Sequence, residues 1–271
     1  MKRKFTWDPT LAQSWKFTKP PGHPSPSELK IYEGYIRWAK KRPDARALIL
    51  GSTPEIRDLC AKHKLPVTCV DYHNENFYIL RTLMKRKGNE ELVNQDWRKM
   101  KLVEKYDLIM GDVALQMIPL KDNQKILLRL QNALKFSGFL VHRNWIRVRG
   151  AYRTQQSVLA EYKRRAKKSG PFSALAMPMV QHCFDDKKGL VYYSQGIVDV
   201  LRQWSEKGQL DAKGYHAIAK GWSSYRMPNY LPTDKQFRDV SGKFFTINKI
   251  RQGNDWYKRF TPLYVLTAKS V

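Results

Sequence analysis

Glycines and acids recur at the ends of short apolar runs in this chain, and their types suit recognition of a nucleoside-bearing ligand. Gly51 closes the run from Ala47 and is followed by Ser52, Thr53 and Pro54. Asp71, followed by Tyr72, closes the run from Val67. Asp96-Trp97 closes the stretch from Glu91, and Gly111-Asp112 the stretch from Tyr106. A strand that ends at a glycine and turns into a helix aims backbone N–H groups and the positive end of a helix dipole at a ligand. A carboxylate about 20 residues further on can accept from two ribose hydroxyls. Asp96 can accept from an exocyclic amine while Trp97 covers the ring, and Asp112 can take an ammonium group. Near the same edge, Asp112, His142, Arg143 and Asn144 are the candidates for a general base.

The elements that must position these residues alternate in type. Ser25-Pro26-Ser27-Glu28 reads as a capping box, and Leu29, Tyr32, Tyr35, Ile36 and Ala39 predict an amphipathic helix over 26–41. Thr53 is the expected N-cap of the helix after the first strand, with Pro54 at its first position. Strands are expected at 47–50, 67–71, 91–97, 106–113 and 139–146, with helices over 76–86 and around Ile126–Leu134. That alternation argues a parallel sheet with helices on both faces. The pattern changes after Arg147. Residues 147–235 carry no strand series and read as a basic helical insert or lid. Lys243–Ile250 and Leu263–Ala268 then read as a hairpin, hence antiparallel. The expected divisions are an N-terminal arm and helix at 1–45, a cofactor-binding core at 46–146, the insert at 147–235 and the closing hairpin at 236–271.

The order of the strand ends resembles that of class I S-adenosylmethionine-dependent methyltransferases, over residues 47–146 and again at the terminal hairpin. The L-G-S-T-P-E and D-W stretches resemble the subgroup whose first motif reads L-G-x-T-P-E. The resemblance implies a seven-stranded, mostly parallel Rossmann-like sheet closed by an antiparallel hairpin, with S-adenosylmethionine as cofactor. It assigns Gly51, Ser52, Thr53 and Pro54 to the methionine end, Asp71 to the ribose, and Asp96 and Trp97 to the adenine; Tyr72 is a further cofactor-site candidate, an aromatic ring able to stack on a planar group. Gly111 and Asp112 go to the methionine end or the substrate mouth. Asp112 and His142 are the expected catalytic residues. The chain departs from the family in having one glycine where a G-x-G-x-G loop is usual, and Phe136-Ser137-Gly138 where Pro-Gly-Gly is usual. A nicotinamide-dependent enzyme is the nearest competitor, but it wants G-x-G-x-x-G, which is absent.

Charge bears on the partner. Fifty Lys and Arg against 24 Asp and Glu give a formal charge of +26. Such an excess favours polyanions, with nucleic acid first and RNA preferred. Arg143, Arg147, Arg149 and Arg153 begin a basic stretch directly after the fifth strand and are expected on the substrate path, together with Trp15. The alternatives are a small-molecule methyltransferase whose insert closes over a metabolite, and a catalytically silent nucleic-acid-binding protein of the same fold. His182, Cys183, Asp185 and Asp186 lack the spacing of a metal site, so no metal is expected. The three cysteines form no C-x-x-C pair. With no apolar signal region or membrane span, a reducing cytoplasmic location is the expectation.

Overall fold

The computed structural model describes residues 14–102 and 105–269. Trp7 and the rest of the expected arm up to residue 13 lie outside the described residues. The chain forms two compact units: residues 23–149 with 230–269, and residues 14–22 with 150–229.

The first unit opens with α1 (Pro26–Lys40), whose capping box forms as expected: Ser25 Oγ accepts from Glu28 N, and Ser25 N donates to Glu28. Then follow β1 (Ala47–Leu50), α2 (Pro54–Lys62), β2 (Val67–Asp71), α3 (Asn74–Arg81), β3 (Glu90–Asn94), β4 (Tyr106–Asp112), α4 (Leu120–Ala133) and β5 (Leu134–Arg143). The helical unit holds α5 (Gln155–Ser169), α6 (Pro171–His182), β6 (Leu190–Tyr192), a π turn at Tyr193–Val198, α7 (Asp199–Glu206), α8 (Ala212–Trp222) and β7 (Pro228–Tyr230). The chain then returns to the first unit with α9 (Asp234–Ser241), β8 (Phe245–Arg251) and β9 (Leu263–Ala268).

The seven-stranded sheet runs β3-β2-β1-β4-β5-β9-β8. The first five strands are mutually parallel, and β9 is antiparallel to both β5 and β8. The strand order reverses direction between β1 and β4, and ligands bind open α/β sheets at such a point, beyond the strands' carboxyl ends. Leu50 pairs with both Val70 and Gly111. The register therefore brings Gly51, Asp71 and Asp112 to one edge. Ile36 of α1, Ile56 and Cys60 of α2, and Ile49 and Leu108 of the sheet form one apolar core. Arg57 of α2 is buried within this unit, stacked on Phe77 and bonded to Glu90 at 2.7 and 2.9 Å, which ties α2 to α3 and β3.

Several expectations are corrected. Helix α3 ends at Arg81 rather than 86, and β3 ends at Asn94, so Asp96-Trp97 occupies a turn beyond the strand. Strand β5 covers 134–143 rather than 139–146, which puts His142 and Arg143 at its end and Asn144 past it. The helical unit does contain strands, because β6 and β7 pair. It also contains α6, in which every residue from Phe172 to Gln181 is buried. A helix buried all round leaves no amphipathic period to read. Around it, Tyr193 stacks on Trp222 with ring centroids 4.5 Å apart, and Phe172 meets Trp222 edge-on.

Candidate functional site

The first half of the sheet edge is built by the β1 and β2 ends. Gly51 has φ +83°, a conformation that L side chains rarely adopt. A Cβ added there would meet one atom of Trp97 at 3.8 Å and no other within 4 Å, so the turn leaves room for close approach of a ligand. Thr53 stands at the N-cap position of α2, yet its side chain makes no capping hydrogen bond. Pro54 begins the helix as expected. Ser52 spends its hydroxyl on a different partner, donating to Asp71 Oδ2 at 2.7 Å. His73 N donates to Asp71 Oδ1 at 3.3 Å. Asp71 is 5% exposed, and burial pushes its carboxyl above the usual range while these two neutral donors pull it back. Tyr72 beside it is exposed.

Trp97 donates its indole N–H to Val70 O at 2.7 Å, which fixes its ring against the glycine turn. Asp96 faces Arg98, which donates to it at 2.6 Å and holds its carboxyl below the usual range. That pairing occupies the carboxylate expected at an adenine amine.

The second half of the edge is an ion cluster. Asp112 Oδ1 accepts from Arg143 Nε at 2.5 Å, and Glu28 Oε2 accepts from Arg143 Nη1 at 3.0 Å. The side chains of Arg143 and Glu28 are fully buried and that of Asp112 is 2% exposed. Burial works against the Arg143 charge, but Asp112 and Glu28 outweigh it and hold the guanidinium ionised. Burial likewise raises the Asp112 carboxyl, with Arg143 opposing. Tyr32 of α1 donates to Gly111 O at 2.7 Å and accepts from Arg143 N at 3.2 Å, completing the tie between α1 and this edge. Arg143, expected on a basic substrate path, is therefore interior. Two carboxylates stabilise it there, because an isolated buried charge is too costly to keep.

His142 is also fully buried, and burial lowers its pKa to about 3. Its Nε2 accepts from Leu115 N at 3.4 Å, which puts the ring proton on Nδ1. This neutral, enclosed ring has no free lone pair for a substrate proton, contrary to the expected base role. It also explains Gly111, where a Cβ would lie 2.4 Å from His142 Cδ2.

Two further polar side chains complete this end. Val113 holds φ +56°, a strained conformation for a β-branched residue. It launches the short 3-10 turn Ala114–Met117, which carries Gln116. Gln116 donates to Trp145 O, and its Oε1 is buried with no hydrogen-bond partner. Asn144 is fully buried with both amide atoms lacking a partner in good geometry. Buried polar atoms without partners are rare and point to a ligand or a water. Sequence reading found Asn144 but missed Gln116, whose signal was its place four residues after a strand-end acid.

Of the other expected substrate residues, Arg147 is 8% exposed and bonds Pro232 O through its backbone, while Arg149 is exposed. Trp15, half-buried in a 3-10 turn, and exposed Arg153 belong to the helical unit. There His182 Nδ1 lies 3.0 Å from Tyr152 O, and Asp185 accepts from Lys187 N and Lys188 N.

The sheet order, with one reversed strand between β5 and β8, is a Rossmann-like fold of the class I methyltransferase type. Solved structures share it across nearly the whole chain. A magnesium protoporphyrin IX methyltransferase from Synechocystis, solved with S-adenosylhomocysteine bound, is 10% identical with a TM-score of 0.52, over 96% of this chain and 94% of its own. A S-adenosylmethionine-dependent methyltransferase from Methanosarcina mazei is 11% identical with a TM-score of 0.52, over 88% and 96%. A Rhodobacter sphaeroides protein named as a candidate zinc-dependent alcohol dehydrogenase is 16% identical with a TM-score of 0.60, over 96% and 99%. No protein-family model matches the chain, and no curated protein matches its sequence.

Proposed function

We propose that the protein binds S-adenosylmethionine at the carboxyl edge of β1, β2 and β4 and transfers its methyl group. The observation that carries this reading is the meeting of the open Gly51 turn with Asp71, held in place by Ser52 at 2.7 Å. The residues fit the cofactor at that end. Asp71 is fixed by neutral donors and keeps lone pairs for ribose hydroxyls, and the uncapped start of α2 suits a carboxylate. Trp97 walls the turn. The fit is weaker at the adenine, where Arg98 holds Asp96. When bound, the cofactor supplies a sulfonium-activated methyl group, so orientation of the acceptor can provide most of the catalysis. Asp112, locked to Arg143, positions the edge of the site. Gln116 and Asn144 offer neutral donors and acceptors to an uncharged polar edge, such as a nucleobase or an amide. The L-G-S-T-P-E stretch favours the subgroup with that first motif. The reversed strand β9 favours methyl transfer over nicotinamide chemistry.

For the acceptor, the charge of +26 favours nucleic acid, RNA first. The exposed Lys163, Arg164, Lys167 and Lys168 on α5 support that choice.

Titration calorimetry tests the cofactor. Wild type is expected to bind S-adenosylmethionine and S-adenosylhomocysteine but not NAD, and Asp71→Ala to bind at least about tenfold more weakly, as loss of a charged hydrogen bond implies. NAD binding alone, or unchanged binding by Asp71→Ala, overturns the assignment. Tritiated methyl transfer into separated RNA and metabolite fractions then names the acceptor. Label in the metabolites would replace the RNA reading with a small-molecule one, and cofactor binding without transfer would mark a silent protein.

A further inference from the structure

A second basic feature lies at the opposite edge of the same sheet. Helix α3 starts just after the carboxyl end of β2 and runs back to its amino end, where Val67 pairs with Glu90 at the start of β3. The connection between α3 and β3 lines a cavity of about 530 Å³, with Arg81, Lys85, Arg86 and Lys87 on its wall beside Tyr78. Tyr78 is 58% exposed, against 39% for Tyr72 and 37% for Tyr192. Sequence alone reads Lys85-Arg86-Lys87 as a solvated helix end.

The structure gives these cations a fixed support. The Asp58 carboxylate of α2 accepts from Lys85 N at 2.8 and 3.0 Å and from Arg86 N at 2.9 Å. Gly88 packs so closely on α2 that a Cβ there would lie 3.0 Å from Ala61 Cβ. The backbone is thus held from one side by an acid that serves its amides. Lys85, Arg86 and Lys87 form no ion pair among the described residues. Arg81 approaches Glu90 at 3.6 Å, but Glu90 is already engaged by Arg57 at 2.7 Å. A helix dipole accounts for Arg81 in the last turn of α3, yet not for three cations held beyond it.

We propose that this ledge is a docking site for single-stranded nucleic acid, with phosphates on Arg81, Lys85, Arg86 and Lys87 and a base stacked on Tyr78. Cations that track a backbone beside an exposed aromatic face are the elements of sequence-tolerant single-strand binding. The ledge is separate from the cofactor edge and does not depend on the methyltransferase reading.

Fluorescence anisotropy of the full chain with a labelled twelve-nucleotide oligouridylate tests the site. Affinity is expected to fall about tenfold or more between 50 and 200 mM salt. Tyr78→Ala, an exposed substitution, is expected to weaken binding about tenfold. A Lys85→Ala, Arg86→Ala, Lys87→Ala triple variant is expected to lower the salt slope by about 2. Asp58→Asn separates a built ledge from bulk charge, because it removes a negative charge while loosening the support. Weaker binding by Asp58→Asn, with an unchanged melting temperature, supports the ledge. Equal or tighter binding by that variant overturns it. Wild-type affinity in Tyr78→Ala, or equal competition by inorganic polyphosphate, reduces the surface to a polyanion exchanger and overturns the base-stacking site.

Discussion

Two acids at one sheet edge, Asp71 and Asp112, both have buried carboxylates, and their surroundings give them opposite uses. Asp71 is held by a hydroxyl and a backbone amide, neutral donors that leave its lone pairs able to take a ligand. Asp112 is locked to Arg143, which is itself shared with Glu28. Removing a ligand from the first leaves a hydrogen-bonded acid. Removing a partner from the second leaves charges stranded in the interior. Residue type is the same and both carboxylates are withdrawn from solvent, so the charge of the neighbour decides which acid is available for binding and which is structural.

The largest effect is expected at Arg143. Arg143→Met keeps the volume but strands Asp112 and Glu28, and it is expected to cost about 3–5 kcal/mol in urea unfolding. A loss below about 1 kcal/mol would mean that the cluster is not what holds α1 to the sheet.

The next effect concerns pH. The His142 pKa is lowered to about 3 by burial, against about 6.5 in an unfolded chain. The unfolded state then binds more protons, so stability is complete above pH 6.5 and is lost progressively as pH falls toward 3. His142→Gln should flatten that part of the stability–pH curve. An unchanged slope would assign the acid sensitivity to other groups.

The smallest effect on stability is expected at Asp71. Asp71→Asn keeps a hydrogen-bonding partner for Ser52 and should change unfolding free energy by about 1 kcal/mol or less, while weakening cofactor binding. A stability loss as large as that of Arg143→Met would erase the distinction between the two acids.

Much of the sheet was legible before the structure. Ala47–Leu50 and Val67–Asp71 are short apolar runs bounded by turn residues, and they form strands with those same limits. The capping box before α1 is equally local and forms as read. Strand β5 was misplaced because its first residues, Leu134–Ser137, continue a helical period and carry no turn signal. Helix α6 was missed because burial on every side removes the alternation that marks a surface helix. The ledge at 85–87 was discounted because its support, Asp58, comes from another element.

From the sequence came the parallel pairing of the first strands, the closing hairpin and the ends of β1 and β2, since these depend on periodicity and turn chemistry within a few positions. Tertiary structure alone decided which of those residues stay available. Arg143 looked like the first residue of a basic surface, and Glu28, 115 positions away in the chain, draws it inside. Ser52 was expected at the methionine end of the cofactor, and its bond to Asp71 makes its hydroxyl the support of the candidate ribose acceptor. Such pairings are set by distances between remote segments, and no local pattern of residue types encodes them.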